Sequence, residues 1–371
     1  MKSEMIVDLS KIRHNAAKLL EACKPYGITA MGITKGCCGS EQLAEAFEAA
    51  GMSFLADSRM ENLKKLRQFT APKVLLRLPR PGEAAETVHY ADYSLNTQPI
   101  TLRRLSEEAL QQGRRHKVVL MIDVGDLREG IWIDDEKAIH HAVRCALRCP
   151  GVELAGIGTN LTCYGGVIPT VENYTVLCQL ADLLRARYSI ALPMVSGGNS
   201  SCIPLLLSGR MPRGITNLRV NQAVLLGREL AQGAPVEGWH YDAFTLLAEI
   251  VEIETKPSRP VGEMAVCNAF GAPPQPADRG LRRRAILSIG RQDLDCMALE
   301  PLDDGAEVVG ASSDHMIVDI SDSAVAHRVG SRMAFRVSSY ASLISGMASP
   351  YIAKTYRGAQ ERLDFKGKVN C

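Results

Sequence analysis

The chain has 371 residues, more than one small core needs and enough for two domains. Its 46% hydrophobic and 23% charged content is ordinary for a globular protein, and a formal net charge of +2 gives no basis for a nucleic-acid or membrane-surface partner. No apolar run reaches the roughly 18 residues of a spanning helix, and the opening MKSEMIVDLS has no signal-peptide apolar region. The eleven cysteines are scattered without zinc-ligand spacing, and Cys37 and Cys38 are adjacent rather than spaced as CxxC. They read as reduced thiols of a cytoplasmic protein.

Residues 8–24 predict an amphipathic helix with Ile12, Ala16, Leu19, Leu20 and Cys23 on one face. Ala30–Thr34 is an apolar run fit for a buried strand, with Lys35 at its end and a small-residue turn, Gly36–Gly39, behind it. Ser40 reads as a helix N-cap, and Leu43, Ala44, Phe47 and Ala50 repeat at helical spacing up to the stop at Gly51. Phe54–Ala56 is a short strand, and Ser58 with Glu61 suggests a capping box for a helix over 59–69. Strands follow at Val74–Leu78 and Tyr93–Asn96, then a helix over Leu102–Gln112. Lys117–Val124 is the clearest buried strand and runs into GDLREGIW. Beyond it come a helix over Lys137–Arg148, a strand over Leu154–Gly158 running into TNLTCYGG, and a helix over Val171–Arg187. A strand over Met194–Ser196 runs into GGNSS, Ile203–Leu207 is helical, and Leu218–Val220 is a short strand before NQAVLLGRE.

Strand, crossover helix and strand in alternation mean a parallel sheet. About eight such units in this length fit a (β/α)8 barrel, whose site lies at the C-terminal strand ends. A doubly wound sheet is the other architecture the pattern allows. The character changes near residue 238, dividing the chain into 1–238 and 239–371. A long strand-like run, Ala243–Glu254, precedes a Pro/Gly-rich stretch, Lys256–Gly280. Short β-like runs at Arg284–Ile289, Ala306–Val309, Met316–Ile320 and Arg332–Val337 then predict a mainly antiparallel β domain. The last apolar stretch, SLISGMASPYIAKTYRG, reads as helical, with a polar tail after it.

The polar and glycine-rich clusters all follow strands. A lysine desolvated at a strand tip loses preference for its charged form and becomes an amine nucleophile of the Schiff-base type. The plainer reading of Lys35 is a lysine extending its stem out of a strand end. SGGNSS, residues 196–201, offers backbone N–H groups and hydroxyls to a phosphate, although such turns are common. Arg219 suits an anion or a heterocyclic nitrogen, or simply solvent. In GDLREG, Asp126, Arg128 and Glu129 share one loop, where an internal ion pair is the plain reading. A nucleophilic lysine, a phosphate cradle and an arginine at separate strand ends match the aldehyde, phosphate and ring nitrogen of pyridoxal 5'-phosphate (PLP).

From IVDLSKIRHNAAKL to about Tyr356, the chain resembles the alanine racemase family, and within it the ornithine racemase-like branch. The resemblance implies a PLP enzyme with an N-terminal barrel and a C-terminal β domain, working as a homodimer with sites shared across the interface. It makes Lys35 in GITKG the PLP lysine and one catalytic base. It makes Asn199, Ser200 in GGNSS and the amides around Asn221 and Gln222 the phosphate cup. Arg219 in LRVNQAVLLG becomes the partner of the pyridine nitrogen, Arg128 in DVGDLREG the partner of the substrate carboxylate, and Tyr356 a phosphate ligand. An arginine beside the ring nitrogen stays protonated and leaves that nitrogen unprotonated, which weakens the ring as an electron sink and suits racemisation.

The chain departs from the family at informative places. Arg291, in IGRQDLD, stands where the family has a tyrosine base, Met121 replaces a lysine that some members carbamylate, and Asn160 replaces a ring-side histidine. Asp314 or His315, in GASSDHMIVD, is then the expected second base or a selector for a distal amine, and Asp293 and Asp295 are further ammonium candidates. The plain reading of Asp314 is a turn cap, and of His315 a surface histidine. The expected activity is racemisation of ornithine or a similar basic or polar amino acid, with alanine and lysine as alternatives. A PLP carrier without turnover, or a decarboxylase or D-amino-acid lyase on the same scaffold, are the competing readings. No metal is expected.

Overall fold

The computed structural model describes residues 2–267, 269–271 and 278–358. The polar tail and part of the Pro/Gly-rich stretch lie outside them. The chain forms two compact units: one of Asp8–Ala243 with the residues from Tyr356 on, the other of Met1–Val7 with Phe244–Thr355.

The chain begins with β1 (Glu4–Asp8), which leads into α1 (Leu9–Cys23), whose N-cap Asp8 accepts hydrogen bonds from the amides of Ser10 and Lys11. In the larger unit there follow β2 (Thr29–Ile33), α2 (Glu41–Ala50), β3 (Phe54–Asp57), α3 (Met60–Lys65), β4 (Lys73–Leu75), α4 (Ala84–Tyr90), β5 (Tyr93–Asn96) and α5 (Pro99–Gln111). The series continues with β6 (His116–Asp123), β7 (Ile131–Trp132), α6 (Glu136–Arg148), β8 (Val152–Gly158), α7 (Val171–Tyr188), β9 (Met194–Ser196), α8 (Ile203–Leu207), β10 (Asn217–Leu218) and α9 (Gln222–Leu226).

The parallel strands pair in the order β5-β4-β3-β2-β10-β9-β8-β6, and β6 pairs back to β5. That closing pair makes an eight-stranded (β/α)8 barrel and rules out the doubly wound sheet. The apolar alternation of the strands drives it: Met31, Ile33, Ala56, Val74, Leu95, Val119, Met121 and Met194 form one buried cluster. Met121, expected to replace a lysine, therefore fills core. Gly156 is required by register, since a Cβ there would lie 2.0 Å from the Met194 carbonyl oxygen on β9.

The smaller unit is a mainly antiparallel sheet. Its strands are β11 (Phe244–Pro257), β12 (Leu281–Leu287), β13 (Leu299–Pro301), β14 (Glu307–Ala311), β15 (Met316–Asp319) and β16 (Arg332–Val337), with α10 (Tyr340–Ala348) and β17 (Ala353–Arg357) after them. They run β13-β16-β11-β12-β15-β14, with β1 between β11 and β17.

Local expectations differ from the structure in several places, among them α4 and β13, which have no expected counterpart. No strand is expected at Glu4–Asp8, where β1 pairs with β11. Ser58 does not cap the next helix: Asp57 accepts from the Arg59 amide at 2.9 Å, and the α-helix itself is short. The stretch after Ser342 is not one helix, because α10 ends at Ala348 and Ala353–Arg357 is a strand. Ser349-Pro350 explains the stop, since the residue before a proline is disfavoured in the helical region. Elsewhere local chemistry behaves as expected: Ser40 Oγ accepts from the Leu43 amide, and Gly51 ends α2 at φ +92°.

Candidate active site

A cavity of about 420 Å³ opens at the C-terminal ends of the barrel strands. Its polar lining follows strand after strand: Lys35 after β2, Ser58 after β3, Arg77 after β4, Arg128 and Glu129 after β6, Asn160 and Cys163 after β8, Asn199 after β9 and Arg219 after β10. Parallel strands all end at one rim, so residues up to 184 positions apart (Lys35 to Arg219) share one space.

Lys35 is solvent-accessible through this cavity and, among the described residues, its Nζ has no hydrogen-bond or ion-pair partner. Burial by the surrounding wall pushes the ammonium down from its ordinary range; Cys163 opposes this, Arg128 adds to it, Asp57 opposes and Arg219 adds. Beneath the amine, buried Asp57 accepts from Thr34 Oγ1 at 2.7 Å and from Asn62 Nδ2 at 3.0 Å.

Arg219 is only 3% exposed. It donates to Ser196 Oγ at 2.5 Å, to the Thr159 carbonyl at 2.7 Å and to Asn160 Oδ1 at 2.7 Å. Burial pushes it down to about 10, with Glu129 as the main opposing charge, so it stays a cation at neutral pH. Asn160 also donates through Nδ2 to Glu129, and Glu129 accepts from both Nε and Nη2 of Arg128, the latter at 2.6 Å. Arg128, Glu129, Asn160 and Arg219 thus form one chain of side chains along the cavity wall. Burial works against the Arg128 charge, but its bond to Glu129 outweighs this and holds the guanidinium above its ordinary range.

Ser200 Oγ accepts from the amides of Asn221 at 3.2 Å and Ala223 at 3.1 Å, where α9 begins at Gln222. Asn199 orders the same turn: its Oδ1 accepts from Ser201 N at 2.9 Å, and its Nδ2 donates to the Leu161 carbonyl at 2.8 Å and to Cys163 Sγ at 3.0 Å. Tyr356 shares a hydrogen bond with the Ser40 side chain, and burial raises its phenol.

The structure therefore gathers Lys35, Arg128, Asn160, Asn199 and Arg219 around one cavity and seats Ser200 against the amides before α9. It does not place Asp314 or His315 in that lining. Both are exposed in the hairpin turn between β14 and β15 of the smaller unit. There Asp314 Oδ1 accepts from Gln292 Nε2 at 3.0 Å, and the His315 amide donates to Ser312 Oγ at 3.1 Å. Asp293 accepts from the Gly290 amide and Asp295 from the Met297 amide, so both carboxylates already serve turns of the smaller unit. Arg291 stacks over Phe270 at 4.7 Å and donates to the Ala311 carbonyl. Sequence reasoning singled out neither Cys163 nor Arg77 and read Glu129 only as an ion-pair partner; their one signal was position, each just past a strand. Among the described residues no group of side chains could hold a metal ion.

A model of the alanine racemase N-terminal domain matches residues 7–216. The chain belongs to the alanine racemase family. It is 42% identical to the ornithine racemase of Acetoanaerobium sticklandii, across 95% of this chain and 99% of that one. It is 36% identical to the lysine racemase of Thermotoga maritima, across 95% and 98%. Among solved structures, the alanine racemase of D-cycloserine-producing Streptomyces lavendulae superposes with TM-score 0.74 at 16% identity, covering 97% of this chain and 98% of that one. D-threo-3-hydroxyaspartate dehydratase from Delftia sp. HT23 superposes at 0.73 with 16% identity, covering 99% and 95%. These two likenesses concern the fold.

The family's cofactor is PLP. This site fits it: an unpaired amine opens into the cavity, backbone N–H groups and a hydroxyl converge at the start of a helix, and a buried arginine lines the cavity wall.

Proposed function

We propose that this protein is a PLP-dependent amino-acid racemase acting on ornithine or a similar basic amino acid. The observation that carries this reading is the unpaired Lys35 amine at the tip of β2, in a cavity that also presents Arg128 and Arg219. The ornithine racemase and lysine racemase relatives, at 42% and 36% identity, support this reaction and substrate class.

Bound PLP supplies an aldehyde carbon and an electron-withdrawing ring that acidify the α-proton of an amino acid joined to it. Ser200, with Asn199, the amides of Asn221 and Gln222, and Tyr356, would hold the phosphate. Arg219, fixed by Ser196, Thr159 and Asn160, holds the ring nitrogen as a permanent cation. Asn160 orients that arginine. Arg128 takes the substrate carboxylate. Lys35 Nζ, kept toward its neutral form, removes the α-proton from one face or returns it.

Racemisation needs a proton donor on the other face as well. Asp314 or His315 of a second copy supplies it, in a homodimer whose smaller units complete the partner's sites. The family resemblance and the exposure of both residues in one hairpin turn support this assignment.

The test is α-proton exchange. The holoenzyme is incubated in D2O with L-ornithine, L-lysine and other L-amino acids, and loss of the α-proton is followed by NMR with chiral analysis. Exchange with the D-isomer accumulating, fastest for ornithine or lysine, is expected. No exchange with any amino acid despite bound cofactor defeats the racemase reading. Lys35→Ala should lose both turnover and the visible absorption of the lysine-bound cofactor, and retention of that absorption defeats the assignment of Lys35.

A further inference from the structure

The lining of the cavity is strongly unbalanced in charge. Lys35, Arg77, Arg128 and Arg219 carry positive groups, and among the described lining residues Glu129 has the single carboxylate. Two of the cations already have partners. Arg77 donates through Nη2 to both carboxylate oxygens of Glu83, at 2.8 and 2.9 Å, and Arg219 uses three of its five N–H donors on Ser196, Thr159 and Asn160. Arg128 and Glu129 are bound to each other.

We infer that Glu129 reads the side-chain ammonium of the substrate, a role that rests on the racemase reading above. The Glu129 side chain is 18% exposed, so losing a directly bonded cation costs its carboxylate more than it would at the open surface. In the free protein Arg128 is that cation. A substrate carboxylate that engages Arg128 competes with Glu129 for the guanidinium. A basic amino acid brings its own replacement, because its ammonium takes the place on Glu129 that Arg128 gives up. One internal ion pair becomes two pairs with the substrate, and no charge is left without a partner. An amino acid with an apolar side chain would engage Arg128 and leave Glu129 with the Asn160 hydrogen bond and the field of Arg219 but no directly bonded cation. Selection thus acts through a penalty on the wrong substrate as well as an attraction for the right one.

The backbone keeps the carboxylate in place. Gly130 follows at φ +140°, and a Cβ there would lie 2.4 Å from the Asp123 amide nitrogen, so the loop runs tight against the end of β6. Asn160 holds Glu129 from the β8 side. The acidic residues of the smaller unit are less suited to the task, because Asp293 and Asp295 already accept turn amides.

The experiment compares L-ornithine with L-norvaline, which has the same carbon chain and no side-chain ammonium. Holoenzyme with Glu129→Gln should lose about 10- to 100-fold in kcat/KM for ornithine, as expected for a charge-assisted hydrogen bond, while norvaline holds or improves. Glu129→Asp, which withdraws the carboxylate by one methylene, should raise the lysine-to-ornithine ratio. Equal losses on ornithine and norvaline, or an unchanged lysine-to-ornithine ratio in Glu129→Asp, overturn the inference and leave Glu129 as a support for Arg128. A wild-type enzyme that racemises no amino acid overturns the racemase reading first, and is distinguished by that.

Discussion

His116, at the start of β6, is 2% exposed, with its Nε2 2.8 Å from Ser94 Oγ on β5. Burial pushes this imidazole down to about 4, so the fold holds it neutral. An unfolded chain protonates the same group near pH 6.5. The folded pKa being the lower one, its contribution to stability is complete above about pH 6.5 and is lost as pH falls toward 4. The wild-type unfolding free energy should drop by about 2 kcal/mol from this group between pH 7 and pH 5, a dependence that His116→Gln should remove. Denaturant titrations at the two pH values check it, and identical pH slopes for both proteins would reject it. The same contrast between residue type and surroundings holds in the cavity. Lys35 and Arg219 are both cations there, but Lys35 has a free, accessible amine while Arg219 is fixed by three acceptors. Lys35 and Ser200 could be picked out from the sequence because each stands in a glycine- or small-residue-marked turn after a strand, and Arg219 because it stands in the short strand expected before NQAVLLG. The bond between Asn160 and Glu129 could not, since 31 residues separate them and only the parallel pairing of β6 with β8 brings their loops together.

The decisive element is the loop after β6. The strand itself is legible from its unbroken apolar run, Val118–Ile122, buried on both faces. What the loop does depends on Gly130, whose positive φ and tight approach to Asp123 are both hostile to a side chain. Gly130→Ala should cost about 1–3 kcal/mol in backbone strain, more once the clash is relieved by moving the loop. It should also lower kcat/KM at least about tenfold, because Arg128 and Glu129 move with that loop. Gly82→Ala is the matched control: no atom lies within 4 Å of where its Cβ would sit and its φ is not positive, so stability and turnover should stay near wild type. Thermal unfolding and ornithine racemisation of the two variants test this together. Helix boundaries were legible where a cap was chemically marked, as at Ser40 and Gly51. They were misread where two neighbours compete for one cap, as with Asp57 and Ser58.

At the scale of the whole molecule, the proposal of shared sites makes a sharp prediction. Lys35→Ala and a variant carrying Asp314→Asn with His315→Asn should each be inactive. Mixed, unfolded and refolded together in equal amounts, they should recover about a quarter of wild-type activity, because half the dimers are mixed and each of those has one intact site. Absence of recovery, or full activity of the Asp314/His315 variant by itself, rejects the assignment of the opposite-face base to that hairpin. The smaller unit also shows why a linear division of the chain is incomplete: β1 at the N-terminus lies between β11 and β17. Five residues with no turn signal before them give no periodicity long enough to distinguish a strand from the lead-in to α1.

The sequence by itself determined the alternation of strands and helices, the change to antiparallel β structure, and the order of lysine, arginine and serine clusters. Those features are written in local apolar periodicity and turn chemistry, which act over a few residues. Only the tertiary structure decided that the sheet closes, through β5 and β6, and that Arg128, Glu129, Asn160 and Arg219 join into one hydrogen-bonded chain on a shared wall. Closure is a property of all eight strands at once, and the partner of each buried charge follows from it.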